Sequence, residues 1–171
     1  MNVTYKTYTM RLEDMPLDAG YASEKVTVVD KNAKERVLGG QNGKTQLIIS
    51  TPLLDEAFLE ELKSIEETLP KGGDYEVTAS LVVAHDSYEI PTMSLFNFYI
   101  DENEEFGDFY GVRLKGEPYE NELTKAIILI SKDGAIFYDD FVSNIEDKFD
   151  VETLYRKIAA AQVCYTGKGC H

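Results

Sequence analysis

The chain has 171 residues, of which 43% are hydrophobic and 28% charged, as in an ordinary globular domain. Its net charge of -14 argues against a nucleic-acid partner and against an anionic membrane surface, because both are bound by basic faces. No apolar run approaches the roughly 20 residues that a membrane-spanning helix needs. The first residues lack the pattern of a secretion signal, so we expect a cytoplasmic protein.

The first half of the chain predicts strands around one long helix. Alternating apolar residues predict a strand or hairpin over 3–12, a short strand over 26–29 and a strongly buried strand over Thr45–Ser50. Residues 55–69 have apolar side chains at helical spacing and end at Pro70, which predicts an amphipathic helix. A strand over 75–84 follows, so strand, helix and strand form a parallel crossover unit.

The second half predicts a short helix over 104–110 and a hairpin of strands 125–130 and 135–141 around Asp133-Gly134. A final helix over 151–162 has Asp150 placed to cap it. This order predicts an α/β, thioredoxin-like fold: a central mixed sheet with flanking helices and an N-terminal strand pair. We expect a single domain over residues 1–163 and a cysteine-containing tail over 164–171.

Thr51-Pro52 lies where the buried strand meets the first long helix. This joint resembles the active-site turn of the thiol peroxidase branch of the peroxiredoxins, in which Thr-Pro-x-Cys links a strand to a helix. Residues 106–112 are similar to the family's Phe-Gly-x-x-Tyr-Gly-Val segment, and residues 123–138 match its strand, turn and partner strand in order. The segments occur in the family's order over most of the chain.

The same resemblance implies that the peroxidatic chemistry is missing. Leu54 occupies the position of the peroxidatic cysteine, and Glu102 that of the family's arginine, four residues before Phe106. The helix that carries the resolving cysteine is expected to be deleted, because few residues separate His85-Asp86 from the next segment. Only Thr51 remains of the four functional positions.

A peroxiredoxin-like protein without the peroxidatic cysteine is therefore expected to be a non-catalytic binding or regulatory protein in redox physiology. A purely structural interaction domain would have the same sequence features. The resemblance implies a homodimer and no cofactor. We interpret His85, alone at a strand end, as a hydrogen-bonded structural histidine rather than a catalytic base.

The tail could still carry chemistry, because Cys164 and Cys170 are the two cysteines of the sequence. Three interpretations remain open: an inert tail, a working dithiol, and a zinc site in which His171 and a partner chain complete the ligands. The alternative function is thus a thiol-disulfide oxidoreductase or peroxide-reducing protein that uses this cysteine pair. Its expected partner is a redox protein such as thioredoxin.

Overall fold

A computed structural model of the chain describes residues 1–70 and 77–163. These ranges contain ten strands and three helices in mixed order. They are β1 (Asn2–Tyr5), β2 (Tyr8–Leu12), β3 (Val26–Asp30), β4 (Glu35–Leu38), β5 (Thr45–Ser50), α1 (Glu56–Thr68), β6 (Val77–Val83), β7 (Phe96–Ile100), α2 (Glu105–Tyr110), β8 (Leu114–Lys115), β9 (Ala126–Ile130), β10 (Ile136–Phe141) and α3 (Val151–Val163). None of the helices in these ranges is long and apolar enough to cross a bilayer.

The described strands form a large mixed sheet and a small antiparallel one. The large sheet has seven strands in the order β10-β9-β5-β6-β7-β3-β4. β5 pairs parallel with β6 and antiparallel with β9, so the predicted crossover and the predicted hairpin meet at this strand. β1, β2 and β8 form the small sheet. The predicted α/β architecture with an N-terminal strand pair is therefore confirmed.

The core lies on both faces of the large sheet. Side chains alternate between the faces, so Leu47 and Ile49 of β5 pack with α1 and α3, while Ile48 packs with α2 on the opposite face. All six residues of β5 are buried. Because both faces are covered, β5 shows the continuous apolar run of an interior strand. The end of this rigid central strand carries the Thr51-Pro52 turn.

Helix α1 begins and ends where local signals predict. The Asp55 side chain accepts a hydrogen bond of 2.9 Å from the backbone N–H of Phe58, which satisfies one of the free donors at the helix start. Phe58, Leu62 and Ile65 are buried on one face. Asp150 caps α3 in the same way, with Oδ1 3.0 Å from the backbone nitrogen of Thr153.

Three strands were not predicted. β4 is an edge strand on which only Leu38 is buried, so it has no alternating pattern. β8 has only two residues and exists because Leu114 and Lys115 pair with β2. β7, the third strand that was not predicted, follows residues 84–95. These residues contain no helix, and that absence had been predicted from the shortened connection after β6.

Candidate functional site

The Thr51-Pro52 turn is held by its own hydrogen bonds. Thr51 is buried; its hydroxyl donates to the carbonyl oxygen of Leu53 at 2.9 Å and accepts from the backbone N–H of Leu53 at 3.2 Å. The hydroxyl of Ser50 donates to the carbonyl oxygen of Thr124 at 2.7 Å, which ties the end of β5 to the approach to β9. The turn is thus fixed on both sides before α1 begins.

Leu54 lies just outside α1. The family resemblance predicts residue 54 in the first turn of this helix, and this is wrong: Asp55 is the N-cap, with an extended backbone, and the first helical residue is Glu56. The side chain of Leu54 is partly buried and packs against the main core. It is not among the residues that line the cavity beside Thr51.

That cavity has a volume of about 230 Å³. Thr51 and Leu53 line it from the turn, Ala57 and Phe58 from α1, and Lys125 from the residue before β9. The N-terminal hairpin and residues 145–148 close its other sides. The small sheet therefore contributes part of the wall, which the sequence did not predict.

A buried ion pair forms the floor of the cavity. Lys125 is 4% exposed and Glu61 is 6% exposed, and the Lys125 Nζ lies 2.8 Å from Glu61 Oε2. The same ammonium donates to the carbonyl oxygen of Asp147 at 2.5 Å. Glu61 Oε1 accepts from the backbone N–H of Phe149 at 2.5 Å, so both carboxylate oxygens have a partner.

Two aromatic rings complete the surroundings of this ammonium group. Its nitrogen lies 5.6 Å from the ring centre of Phe58 and 4.9 Å from that of Phe149, within the range of cation–π attraction. Sequence analysis missed the pair, although there was a signal. Glu61 stands at a core position of α1, three residues after Phe58 and four before Ile65, where an isolated charge would be costly.

The structure does not bring Glu102 to the Thr51 cavity. Glu102 lines a separate cavity of about 300 Å³, together with Val29, Ala84 and His85. Three lysines line the Thr51 cavity, namely Lys6, Lys125 and Lys148, and of these the ammonium of Lys125 is buried in the ion pair with Glu61. Glu102 therefore does not take the place beside Thr51 that the family resemblance implied for the arginine position.

His85 belongs to a hydrogen-bonded cluster next to the turn. Its Nε2 contacts the carboxylate of Glu122 and its Nδ1 lies 2.5 Å from the hydroxyl of Ser87. The Tyr88 hydroxyl lies 2.7 Å from the carbonyl oxygen of Pro52 and 2.8 Å from Glu122 Oε2. Burial, reinforced by Glu122, raises the pKa of Tyr88 well above its usual value, so this hydroxyl stays a donor.

The remaining predicted site residues, Cys164 and Cys170, lie outside the described residues. α3 ends at Val163, and Cys164 is the next residue in the sequence. Residues 1–163 contain no cysteine. No thiol from this range can therefore reach the Thr51 turn.

Comparison with known proteins agrees with the fold. No protein-family model matches the chain. The chain is 26% identical to a thiol peroxidase of Campylobacter jejuni, with 99% of this chain and 98% of that protein covered. It is 24% identical to a thiol peroxidase of Aquifex aeolicus, over 91% and 95% of the two chains. A solved peroxiredoxin-like protein from Aquifex aeolicus superimposes with a TM-score of 0.78 at 20% identity, covering 94% of this chain and 96% of that one.

The large mixed sheet with helices on both faces is thus a thioredoxin-like fold of the peroxiredoxin type, as predicted. Within that class, the similarity over nearly the whole chain is to thiol peroxidases. The predicted resemblance to the thiol peroxidase branch of the peroxiredoxins is confirmed.

Proposed function

We propose that this chain is a non-peroxidatic relative of the thiol peroxidases that serves as a binding or regulatory protein in redox physiology. The observation that carries the proposal is the absence of any cysteine from residues 1–163, which include the whole Thr51 turn. A thiolate is the group that attacks a peroxide, and a leucine at position 54 has no atom that replaces it.

The chemistry around the turn supports the same proposal. The cavity beside Thr51 is lined by hydroxyl groups, hydrocarbon side chains, the Lys125–Glu61 pair and the further charged residues Lys6, Asp55, Glu146 and Lys148. None of these groups is oxidised by a peroxide in the way that a thiolate is. Because Glu61 contacts the ammonium at 2.8 Å, the positive charge of Lys125 is largely compensated and attracts a further anion only weakly.

Binding is the function that such a cavity retains. Its volume of about 230 Å³ is below the range of drug-sized pockets, so it suits a small ligand or a single inserted side chain. Thr51 and the ion pair provide fixed polar groups, and Phe58 provides an apolar wall. A cytoplasmic homodimer remains part of the proposal, by resemblance to the family.

The second candidate function uses the tail. Cys164 and Cys170 would act as a thiol-disulfide pair that a redox protein such as thioredoxin reduces. The sequence favours this candidate in one respect, because Lys168 lies between the cysteines and would stabilise a thiolate. Against it, Cys164 follows the carboxyl end of α3, where the helix dipole opposes negative charge.

One experiment separates the two candidates. Peroxide consumption is measured by stopped flow for the reduced wild-type chain and for the variant Cys164→Ser/Cys170→Ser, with thioredoxin as electron donor. We expect the serine variant to consume peroxide no faster than buffer. Consumption that is lost with the cysteines would establish the tail chemistry, and rapid consumption that survives their loss would contradict the proposal.

Restoring a sulfur at the turn provides the matching control. In the serine variant, Leu54→Cys is expected to stay slow, because residue 54 packs against the core and does not line the Thr51 cavity. Adding Glu102→Arg should not accelerate it, since Glu102 lines a different cavity. Fast turnover by the Leu54→Cys chain would show that the site is intact apart from its sulfur.

A further inference from the structure

A serine, a histidine and a glutamate are linked by two successive hydrogen bonds near the end of β6. The Ser87 hydroxyl is 2.5 Å from Nδ1 of His85, and the other ring nitrogen, Nε2, contacts Oε1 of Glu122. His85 is the second residue after β6, and Glu122 lies in the segment between β8 and β9. Sequence analysis interpreted His85 as a hydrogen-bonded structural histidine rather than a catalytic base; the hydrogen bonds are present, and the sequence did not identify the two partners.

These contacts select one of the two tautomers of the neutral imidazole. Ionised Glu122 only accepts hydrogen bonds, so Nε2 carries the proton and donates it to this carboxylate. Nδ1 is then left with its lone pair and accepts the hydrogen of the Ser87 hydroxyl. In this state His85 is placed to take a proton from Ser87, while Glu122 stabilises the imidazolium that forms.

Tyr88 contacts both His85 and Glu122 and orients their side chains. Its ring stacks on His85 with the ring centres 4.8 Å apart and the planes at 19°. Its hydroxyl lies 2.8 Å from the second carboxylate oxygen of Glu122. Stacking fixes the plane of the imidazole, and the hydroxyl fixes the rotation of the carboxylate. The geometry is that of a nucleophile, a base and an orienting acid.

A cavity borders these hydrogen-bonded residues on the side of His85. His85 lines the cavity of about 300 Å³ described above, whose walls include the apolar side chains of Val29, Ala84 and Ile100. Lys31 and the acidic residues Asp30, Asp86 and Glu102 also line it, and Ser87 stands next in the sequence to its lining residue Asp86. Ser87 is exposed and the side chain of His85 is 46% exposed, so an outside molecule can reach the nucleophile and the base.

We propose that Ser87, His85 and Glu122 form a nucleophilic triad that hydrolyses small carboxylic esters. Ser87 Oγ bonds to the ester carbonyl carbon as its proton passes to Nδ1 of His85. The bond from that carbon to the alcohol oxygen then breaks, and the alcohol leaves with this proton. Water attacks the acyl-serine with His85 again as base, which releases the carboxylic acid and restores the hydroxyl. No oxidant, metal or cofactor is consumed.

The test uses the full chain and 4-nitrophenyl acetate as the probe. Release of 4-nitrophenol is followed for wild type and for Ser87→Ala, His85→Gln and Glu122→Gln, with Ser64→Ala as matched control. Ser64 lies exposed on α1, and its hydroxyl contacts only the carbonyl oxygen of Glu60. We compare the rate of each chain after subtraction of the rate in buffer. Ser87→Ala, which removes the nucleophile, and His85→Gln, which removes the base, should each lower this rate at least about tenfold, as expected for loss of general-base catalysis.

A second measurement does not depend on rates. Acid quenching during turnover, followed by digestion and mass spectrometry, should find the acetyl group on Ser87 in wild type. The same modification should be reduced in His85→Gln, although Ser87 is still present. Thermal unfolding midpoints close to wild type would show that the variants are folded, and acetylation of Ser87 remains a readout if one of them is not.

Three results would overturn the triad. The first is a wild-type rate equal to that of buffer. The second is a Ser87→Ala rate equal to that of wild type. The third is an acetyl group found on lysines or on His85 but not on Ser87. The outcome does not affect the proposed binding function, which rests on the missing cysteine and the cavity beside Thr51.

Discussion

Breaking the buried Lys125–Glu61 pair should destabilise the fold far more than removing a surface charge. Glu61→Leu removes the carboxylate that lies 2.8 Å from the Lys125 ammonium and leaves that ammonium buried. Removing one partner of a buried pair costs about 3–5 kcal/mol. The ammonium keeps the Asp147 carbonyl oxygen and the rings of Phe58 and Phe149, so we expect the lower end, about 3 kcal/mol.

Two further variants apportion this loss. Glu61→Gln keeps an oxygen that can accept from the Phe149 N–H but removes the charge, so a smaller cost of about 2 kcal/mol is expected. Glu61→Leu/Lys125→Met removes both charges and fills the space with hydrocarbon, which should cost less than about 1 kcal/mol. With the single variant Lys125→Met completing the double-mutant cycle, the coupling energy should reach about 2 kcal/mol or more. Glu60→Gln, exposed on the same helix, is the matched control and should be near neutral.

The assay is equilibrium unfolding in urea, in which the midpoint and slope give the free energy of unfolding. For a chain of this length, a loss of 3 kcal/mol lowers the midpoint of thermal unfolding by about 6–12 °C. A cost below about 1 kcal/mol for Glu61→Leu, or a coupling energy near zero, would refute the reasoning. Either result would mean that water reaches the pair in solution and screens it.

The remaining predictions concern charges elsewhere in the chain. Burial, together with the neighbouring Asp18, raises the pKa of Asp139 from 3.8 to about 6, so the folded state binds a proton that the unfolded state releases. The free energy of unfolding should therefore fall as pH rises from about 4 to about 6. Asp139→Asn should raise the free energy of unfolding at pH 7 by about 1–2 kcal/mol, after allowance for solvent screening of this partly exposed side chain. Urea titrations should show no such gain below about pH 4. Asp55→Ala removes the N-cap of α1 and should cost about 1 kcal/mol; no change in the urea midpoint would contradict the cap. Thiol titration of Cys164 and Cys170 should give pKa values near or above the ordinary ~8.5, whereas a value well below ~7 would favour the working dithiol.

Much of the fold was predictable because its signals are local. Asp55 and the spacing of the apolar residues after it place α1 to within a residue of its observed start. The hairpin of β9 and β10 and the helix α3 follow from the Asp133-Gly134 turn and from Asp150 in the same way. The absence of cysteine from residues 1–163 is likewise a property of the sequence. Each depends on neighbours within a few positions, where backbone geometry and side-chain period act directly.

The composition of the two sites was decided by tertiary structure. Glu61 and Lys125 are 64 residues apart in sequence, and Glu122 is 37 residues from His85. The family resemblance placed Glu102 at the position of the arginine beside the turn, but in the structure Glu102 lines another cavity. Strands such as β8 exist only because a partner strand supplies their hydrogen bonds. The sequence alone thus determined the class of fold and the absence of cysteine from residues 1–163. Only the paired strands decided which charges meet, because electrostatic contacts depend on distance in space and not on separation along the chain.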